Sequence, residues 1–193
     1  LAEAQKVLVE DVTGSLFPIA GDVKIQVEFN PARISEYRLI GYETRALARE
    51  DFNDDTVDAG EIGAGHQVTA LYEITPKGSP AERISELRYA PESEAVADAS
   101  AEYAYLKLRY KRPGEGRSNL IETPVLPDRA DIAAQETRFA AAAAGFGMLL
   151  RGQTLPGWSY DDARALAASA RGEDPYGYRS EMVSLIRIAD ALD

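Results

Sequence analysis

The sequence contains no cysteine and only one histidine, one tryptophan and two methionines in 193 residues. The lack of cysteine excludes disulfides, thiolate nucleophiles and zinc sites built on cysteine, although it leaves the redox compartment open. The single histidine, His66, cannot form a histidine cluster for a metal and is best explained as a turn or sheet-edge residue. An acid–base pair with a carboxylate is the weaker alternative. No apolar run approaches the ~20 residues of a membrane-spanning helix, so no direct membrane insertion is predicted.

Positive charge is also scarce, with 21 Lys and Arg against 32 Asp and Glu and a net charge of −11. Nucleic acid and anionic lipid attract positive surfaces, so neither is predicted as a partner. The nucleophile elbow Gly-x-Ser-x-Gly, the Walker phosphate loop and the His-Glu-x-x-His zinc motif are all missing from the sequence. We therefore predict a protein that is not an enzyme and needs no cofactor. A metal-dependent or hydrolytic enzyme is the weaker alternative.

Alternating apolar residues predict β-structure between residues 22 and 127. In residues 22–29 every second position is apolar: Val23, Ile25, Val27 and Phe29. This period of two is typical of a half-buried strand. We expect these four side chains to be buried, and Lys24, Gln26 and Glu28 to face solvent.

Further extended segments are predicted at residues 37–43, 68–74, 83–89, 104–110 and 121–125. Turns rich in glycine, proline and acidic residues separate them. Gly60, Gly63 and Gly65 are interpreted as the turn that opens the strand at 68–74. Several short strands with this spacing predict an antiparallel β-sandwich over residues 22–127.

After Pro127 the apolar period changes to that of helices. The first predicted helix, at residues 129–151, carries Phe139, Phe146 and Leu150 on one stripe. Ser159 and Asp162 have the spacing of a capping box and predict the start of a second helix. Asp174-Pro175 predicts the start of a third, whose stripe comprises Met182, Leu185 and Ile186. The fold class is therefore α+β, with a three-helix subdomain at residues 128–193 and both stripes expected in a core.

An N-terminal helix is predicted over residues 1–21. Leu1, Ala4, Leu8 and Val12 recur at helical spacing, and Gly14 is a plausible stop. Because the sequence opens inside this helix, we expect the chain to be a fragment of a longer protein.

Residues 22–43, 58–74 and 138–151 resemble the region immediately downstream of the von Willebrand factor type A (VWA) domain in a group of bacterial VWA proteins of unknown function. The resemblance implies that residues 1–21 are the end of the VWA domain. The VWA domain upstream in the same chain is therefore an expected binding partner. The resemblance also implies a non-enzymatic accessory module that binds an unidentified protein partner. The location implied is bacterial, periplasmic or envelope-associated.

The VWA metal motif, Asp-x-Ser-x-Ser, has its nearest match at residues 98–102, where Glu102 replaces the second serine. No metal residue is therefore carried over from the resemblance. In the acid-rich segment 50–61, Asp51, Asn53 and Asp55 match the first ligand positions of an EF-hand calcium loop. Thr56 and Ile62 stand where that loop requires glycine and glutamate. A solvated acidic loop is expected, with a calcium-stabilised adhesion module of the cell envelope as the alternative function.

One strand face combines tyrosines with basic residues and is the candidate interaction face. Its members are Tyr103, Tyr105 and Arg109, accompanied by Lys107 and Lys111. Tyrosine and arginine dominate protein–protein hot spots, so a protein-binding patch is predicted. Stacking of single-stranded nucleic acid is the alternative, and the acidic net charge disfavours it.

Overall fold

The computed structural model describes residues 17–41, 46–84, 101–127, 134–153 and 157–193. The protein is α+β, and the chain divides into two compact units, Leu1–Pro127 and Asp128–Asp193. The first unit contains two antiparallel sheets. Its strands are β1 (Pro18–Phe29), β2 (Ile34–Ile40), β3 (Gly60–Gly63), β4 (Leu71–Pro76), β5 (Ala104–Lys111) and β6 (Asn119–Val125).

The larger sheet has four strands in the order β3-β1-β5-β6. Strand β1 pairs with β5 from Gly21 opposite Lys111 to Phe29 opposite Ala104, and the register shifts between Gly21 and Lys24. At this bulge Asp22 adopts a φ of 50°, a left-handed conformation that aspartate tolerates better than most residues. Three long strands therefore lie side by side and share two continuous faces.

The smaller sheet consists of β2 and β4 in antiparallel register. Phe29, at the end of β1, joins it to the larger sheet, since its ring lies 4.4 Å from that of Tyr37 and 5.3 Å from that of Tyr72. Ala104, opposite Phe29, is only 4% exposed. The smaller sheet therefore covers the larger one at this end.

We expect Phe29→Ala to lower the free energy of unfolding by about 2–4 kcal/mol, because it removes a half-buried ring with two aromatic contacts. The matched control is Phe17→Ala, since Phe17 is 62% exposed and its loss should cost under about 1 kcal/mol. Urea denaturation measures both. Equal costs would contradict this packing.

The expected burial of β1 is wrong at two positions. Lys24, which was expected to face solvent, is only 4% exposed, whereas the supposedly buried Ile25 is 47% exposed. Burial therefore does not alternate along the strand: Val23, Gln26, Val27 and Phe29 are all half-buried, and only Glu28 of the polar positions is exposed. The cause is not local. A loop distant in sequence, which contains Asp51 and Asp54, covers Lys24 on the polar face, and part of the apolar face stays exposed.

Other differences from the predictions concern boundaries. Pro18–Gly21 belong to β1 and are not helical, while the rest of the predicted N-terminal helix lies outside the described residues. Gly60–Gly63 form a strand that was interpreted as a turn. Val68 is 70% exposed and precedes β4, so the strand predicted at 68–74 begins at Leu71. Most of the strand predicted at 83–89 lies outside the described residues.

The second unit contains three helices, α1 (Ala134–Leu150), α2 (Tyr160–Ser169) and α3 (Tyr178–Asp190). Its fully buried core consists mainly of alanine, with Ala142, Ala163, Ala167 and Ile186. Larger side chains surround that core, among them Phe139, Phe146 and Trp158. Alanine allows helices to approach closely, so the core is compact and contains few large side chains.

The predicted burial of the helical stripes is correct only in part. Phe139 and Phe146 are half-buried against the alanine core, as are Met182 and the adjacent Val183. Leu150 and Leu185 are instead 59% and 49% exposed. The three helices nevertheless pack on one another, as their apolar stripes require.

Side-chain caps begin two of the helices. The predicted capping box is confirmed, since Ser159 Oγ accepts from the Asp162 N–H and the Asp162 carboxylate accepts from the Ser159 N–H. The third helix begins three residues later than expected, after Gly177 with a φ of 77°. Asp174 still caps it from outside, because its carboxylate accepts from the N–H groups of Arg179 and Ser180.

Within the described ranges, no helix combines the length and the apolar character that crossing a membrane requires.

Candidate interaction surface

The two faces of the larger sheet differ sharply in composition. Cross-strand pairing places three rows of side chains on one face: Ile25–Leu108–Ile121, Val27–Leu106–Thr123 and Phe29–Ala104–Val125. These nine positions are called the apolar sheet face, and directly opposed residues of antiparallel strands share a face. The opposite face carries Lys24, Arg109 and Lys111, and is called the basic face.

The apolar sheet face is covered at Phe29 and Ala104 but partly open elsewhere, and Val125 in the same row is 42% exposed. Phe29 and Ala104 lie under the smaller sheet. At the far row, Ile25 and Ile121 are 47% and 49% exposed. Large aliphatic side chains in register on three strands thus form a contiguous apolar surface that described residues leave partly open. Such surfaces mark protein contacts more often than chance exposure does.

The basic face is covered by the acidic loop, defined here as residues 49–59. This loop opens with a short 3₁₀ helix, Arg49–Asn53. The Lys24 ammonium donates to the backbone carbonyl of Asp51 at 3.1 Å and to that of Asp54. Phe52, in the same loop, is only 5% exposed. The loop therefore provides the acceptors that a buried ammonium requires.

Two further cations hold the loop to the basic face. Arg109 donates to the Asn53 amide oxygen at 2.9 Å, and its guanidinium lies 5.5 Å from the centre of the Phe52 ring. Lys111 donates to the Asp55 carbonyl at 2.7 Å and forms a 2.7 Å ion pair with Asp22. The Lys111 hydrogen bond lowers the pKa of the Asp22 carboxyl. The loop is thus fixed at three points along its length.

The weak calcium candidates, Asp51, Asn53 and Asp55, are each engaged by the protein itself. Asp51 accepts from Lys24 through its carbonyl, Asn53 accepts from Arg109, and the Asp55 carboxylate accepts from the Ser118 N–H at 3.3 Å. The bonds from Ser118 lower the pKa of Asp55. In the described part of the chain, no group of three or more histidine, aspartate or glutamate side chains is placed to hold a metal.

We expect millimolar calcium to leave the melting temperature unchanged, because the described part of the acidic loop gathers no group of carboxylates that could hold a metal, and Lys24, Arg109 and Lys111 already bind the Asp51 carbonyl, the Asn53 amide oxygen and the Asp55 carbonyl. A ligand present well above its dissociation constant would raise stability. Differential scanning fluorimetry with calcium and with the chelator EGTA measures this directly. A rise in melting temperature that Asp51→Asn with Asp55→Asn abolishes would contradict the expectation.

The predicted interaction face is not an open patch. Arg109 lies under the acidic loop, and Tyr103, just before β5, is half-buried, with its N–H donating to the Val125 carbonyl at 2.8 Å. Tyr105 is half-buried on β5, with the Lys107 ammonium 5.8 Å from its ring centre. The two features singled out from the sequence, the acidic loop and the basic strand, therefore bind each other. The open surface, on the other side of the sheet, was missed because its residues were assigned to the core.

The fold defines the class of protein: an α+β chain of two units, one with two antiparallel sheets and an apolar sheet face, the other with three helices. The chain belongs to the family described as "Uncharacterized protein YfbK, C-terminal", which matches residues 14–192.

Among curated proteins, "Uncharacterized protein YfbK" of Escherichia coli (strain K12) is 46% identical over 194 residues. The match covers 100% of this chain and 33% of YfbK, so the chain spans about a third of that relative's length. None of the solved structures matches the chain.

Proposed function

We propose that this chain is a non-enzymatic accessory module of a larger bacterial VWA-domain protein, and that it binds protein through the apolar sheet face. In this proposal the two sheets act as a sandwich closed at the Phe29 end. The VWA domain precedes the module in the same polypeptide. An envelope-associated location belongs to the same proposal.

The single observation that carries the proposal is the open row Ile25–Leu108–Ile121. Its two outer residues, Ile25 and Ile121, are about half exposed although they lie on the apolar face of the larger sheet. Fully burying an exposed isoleucine is worth ~1.5–3 kcal/mol, and covering one that is about half exposed stabilises a complex by part of that free energy. The occupant that suits this surface is a folded protein with a matching apolar patch, because the net charge of −11 disfavours anionic lipid and nucleic acid.

The alternative function, a calcium-stabilised adhesion module, has less support. It would need the oxygens of the acidic loop, and three of them, the carbonyls of Asp51 and Asp55 and the amide oxygen of Asn53, accept hydrogen bonds from basic side chains of the sheet. A metal-dependent enzyme would need ligands or acid–base pairs gathered at one place. The exposed His66, in the turn after β3, has no such neighbours among the interactions found in the described ranges.

Ile121→Thr in the 193-residue chain tests the proposal. It keeps a β-branched side chain and removes apolar surface, so we expect a loss of under about 1 kcal/mol in the free energy of unfolding and weaker binding of the hydrophobic dye ANS. Val68→Thr, at a 70% exposed position outside the sheet, is the matched control and should change neither.

A loss above about 2 kcal/mol for Ile121→Thr would show that another part of this chain buries the apolar sheet face. That result would remove the surface on which the proposed function depends.

A further inference from the structure

We infer that the occupant of the apolar sheet face is the preceding part of the same polypeptide, so that the contact is intramolecular. This inference rests on the proposed function and names the partner of the same surface.

The relative supplies the first argument. This chain matches 33% of YfbK, and the matching family is described as the C-terminal part of that protein. About two thirds of such a polypeptide therefore precedes the matching region. A tethered domain is present at an effective concentration in the millimolar range when its linker is short, so it occupies an apolar surface ahead of partners that are free in solution.

The geometry of β1 supplies the second argument. The strand runs from Pro18 to Phe29, whose ring contacts the smaller sheet. The chain thus enters the module at the end of β1 that is remote from these ring contacts. The residues at this entry are themselves apolar and exposed, Phe17 at 62% and Ile19 at 54%. A preceding domain would therefore meet exposed apolar side chains at the point where the chain enters the module.

The basic face supports the same orientation. It is already occupied, because the acidic loop covers Lys24 and is fixed by Arg109 and Lys111. On the rest of the basic face, Leu120 is the exposed large apolar side chain at 43%, whereas the apolar sheet face has Ile25, Ile121 and Val125. A second domain that packs on the larger sheet therefore meets more apolar surface on the apolar sheet face. Interfaces between domains of one chain are commonly of moderate area. The three rows of side chains on the apolar sheet face can form such an interface.

The absence of cysteine makes the test direct, because a single introduced thiol is the only one in this chain. Ile121→Cys and the control Val68→Cys are prepared both in the 193-residue chain and in the full-length polypeptide that carries it. Labelling with iodoacetamide is followed for each peptide by mass spectrometry. We expect the rate at position 121 to be at least tenfold lower in the full-length polypeptide, with the rate at position 68 unchanged and with no dependence on dilution.

Equal rates at position 121 in the two proteins would overturn the inference. Protection that disappears on dilution would also overturn it, because the contact would then lie between molecules, and the proposed function would stand. Equal slowing at both positions would indicate general shielding and would equally reject a specific contact. The proposed function fails on a different result, the large loss of stability for Ile121→Thr in the isolated chain, so the two failures are distinguishable.

Discussion

Replacing Lys24 by methionine is expected to lower the free energy of unfolding by about 2–4 kcal/mol. Methionine retains the apolar stem of the side chain but leaves the carbonyls of Asp51 and Asp54 without their donor. Each buried acceptor that loses its partner costs about 1–3 kcal/mol. The change also releases the start of the acidic loop from the sheet, and Phe52, 5% exposed in the native protein, becomes accessible to solvent.

Lys107→Met is the matched control, since Lys107 lies on the same face and contacts the Tyr105 ring at 5.8 Å. It should cost under about 1 kcal/mol. Urea denaturation with unchanged m-values would assign the difference to the native state. If Lys24→Met matched the control, the buried ammonium would not stabilise the loop.

Gly145→Ala and Gly147→Ala should have opposite effects although both change the same helix. A Cβ at Gly145 would clash with Nε1 of Trp158 and lie 2.7 Å from its Cε2, whereas a Cβ at Gly147 meets nothing within 4 Å. Alanine gains about 1 kcal/mol over glycine in a helix interior. Displacing a packed indole costs more, typically 1–3 kcal/mol in net overpacking.

We therefore expect Gly147→Ala to stabilise the protein by about 0.5–1 kcal/mol and Gly145→Ala to destabilise it by about 1–2 kcal/mol. Trp158 is the only tryptophan in the sequence, so its fluorescence reports on the first change directly. A shifted emission maximum in Gly145→Ala, but not in Gly147→Ala, is the expected signature. Stabilisation by both substitutions would show that the indole does not pack against α1.

Sequence patterns formed by residues close together in the chain predicted several strands and helices of the fold. The period of two in β1 and β5 and the capping box at Ser159 are local, and each lies where the sequence placed it. The start of α3 was misplaced because Asp174 caps the helix across a turn that ends at Gly177. Strand β3 was not predicted, because its four residues are too few to show an alternating pattern.

The candidate surface depended on information that a local pattern does not contain. Lys24 and Asp51 are separated by 27 positions, and nothing near either residue indicates that one binds the other. An alternating strand reveals that its two faces differ but not which face the rest of the chain will cover. The apolar face of β1 was therefore assigned to the core, although the structure leaves its outer row half exposed.

The strand order of the larger sheet has a consequence for synthesis on the ribosome. Strand β1 is complete at Phe29, but its long partner, β5, ends only at Lys111. At about 5–20 residues per second, β1 waits roughly 4–16 seconds for that partner. Strands β2 and β4, which lie between them in sequence, pair with each other in the meantime. Strand β3 pairs only with the Pro18–Val23 part of β1, so the alternating part from Lys24 to Phe29 remains without a partner, and chaperone demand during translation should be greatest before residue 111 emerges.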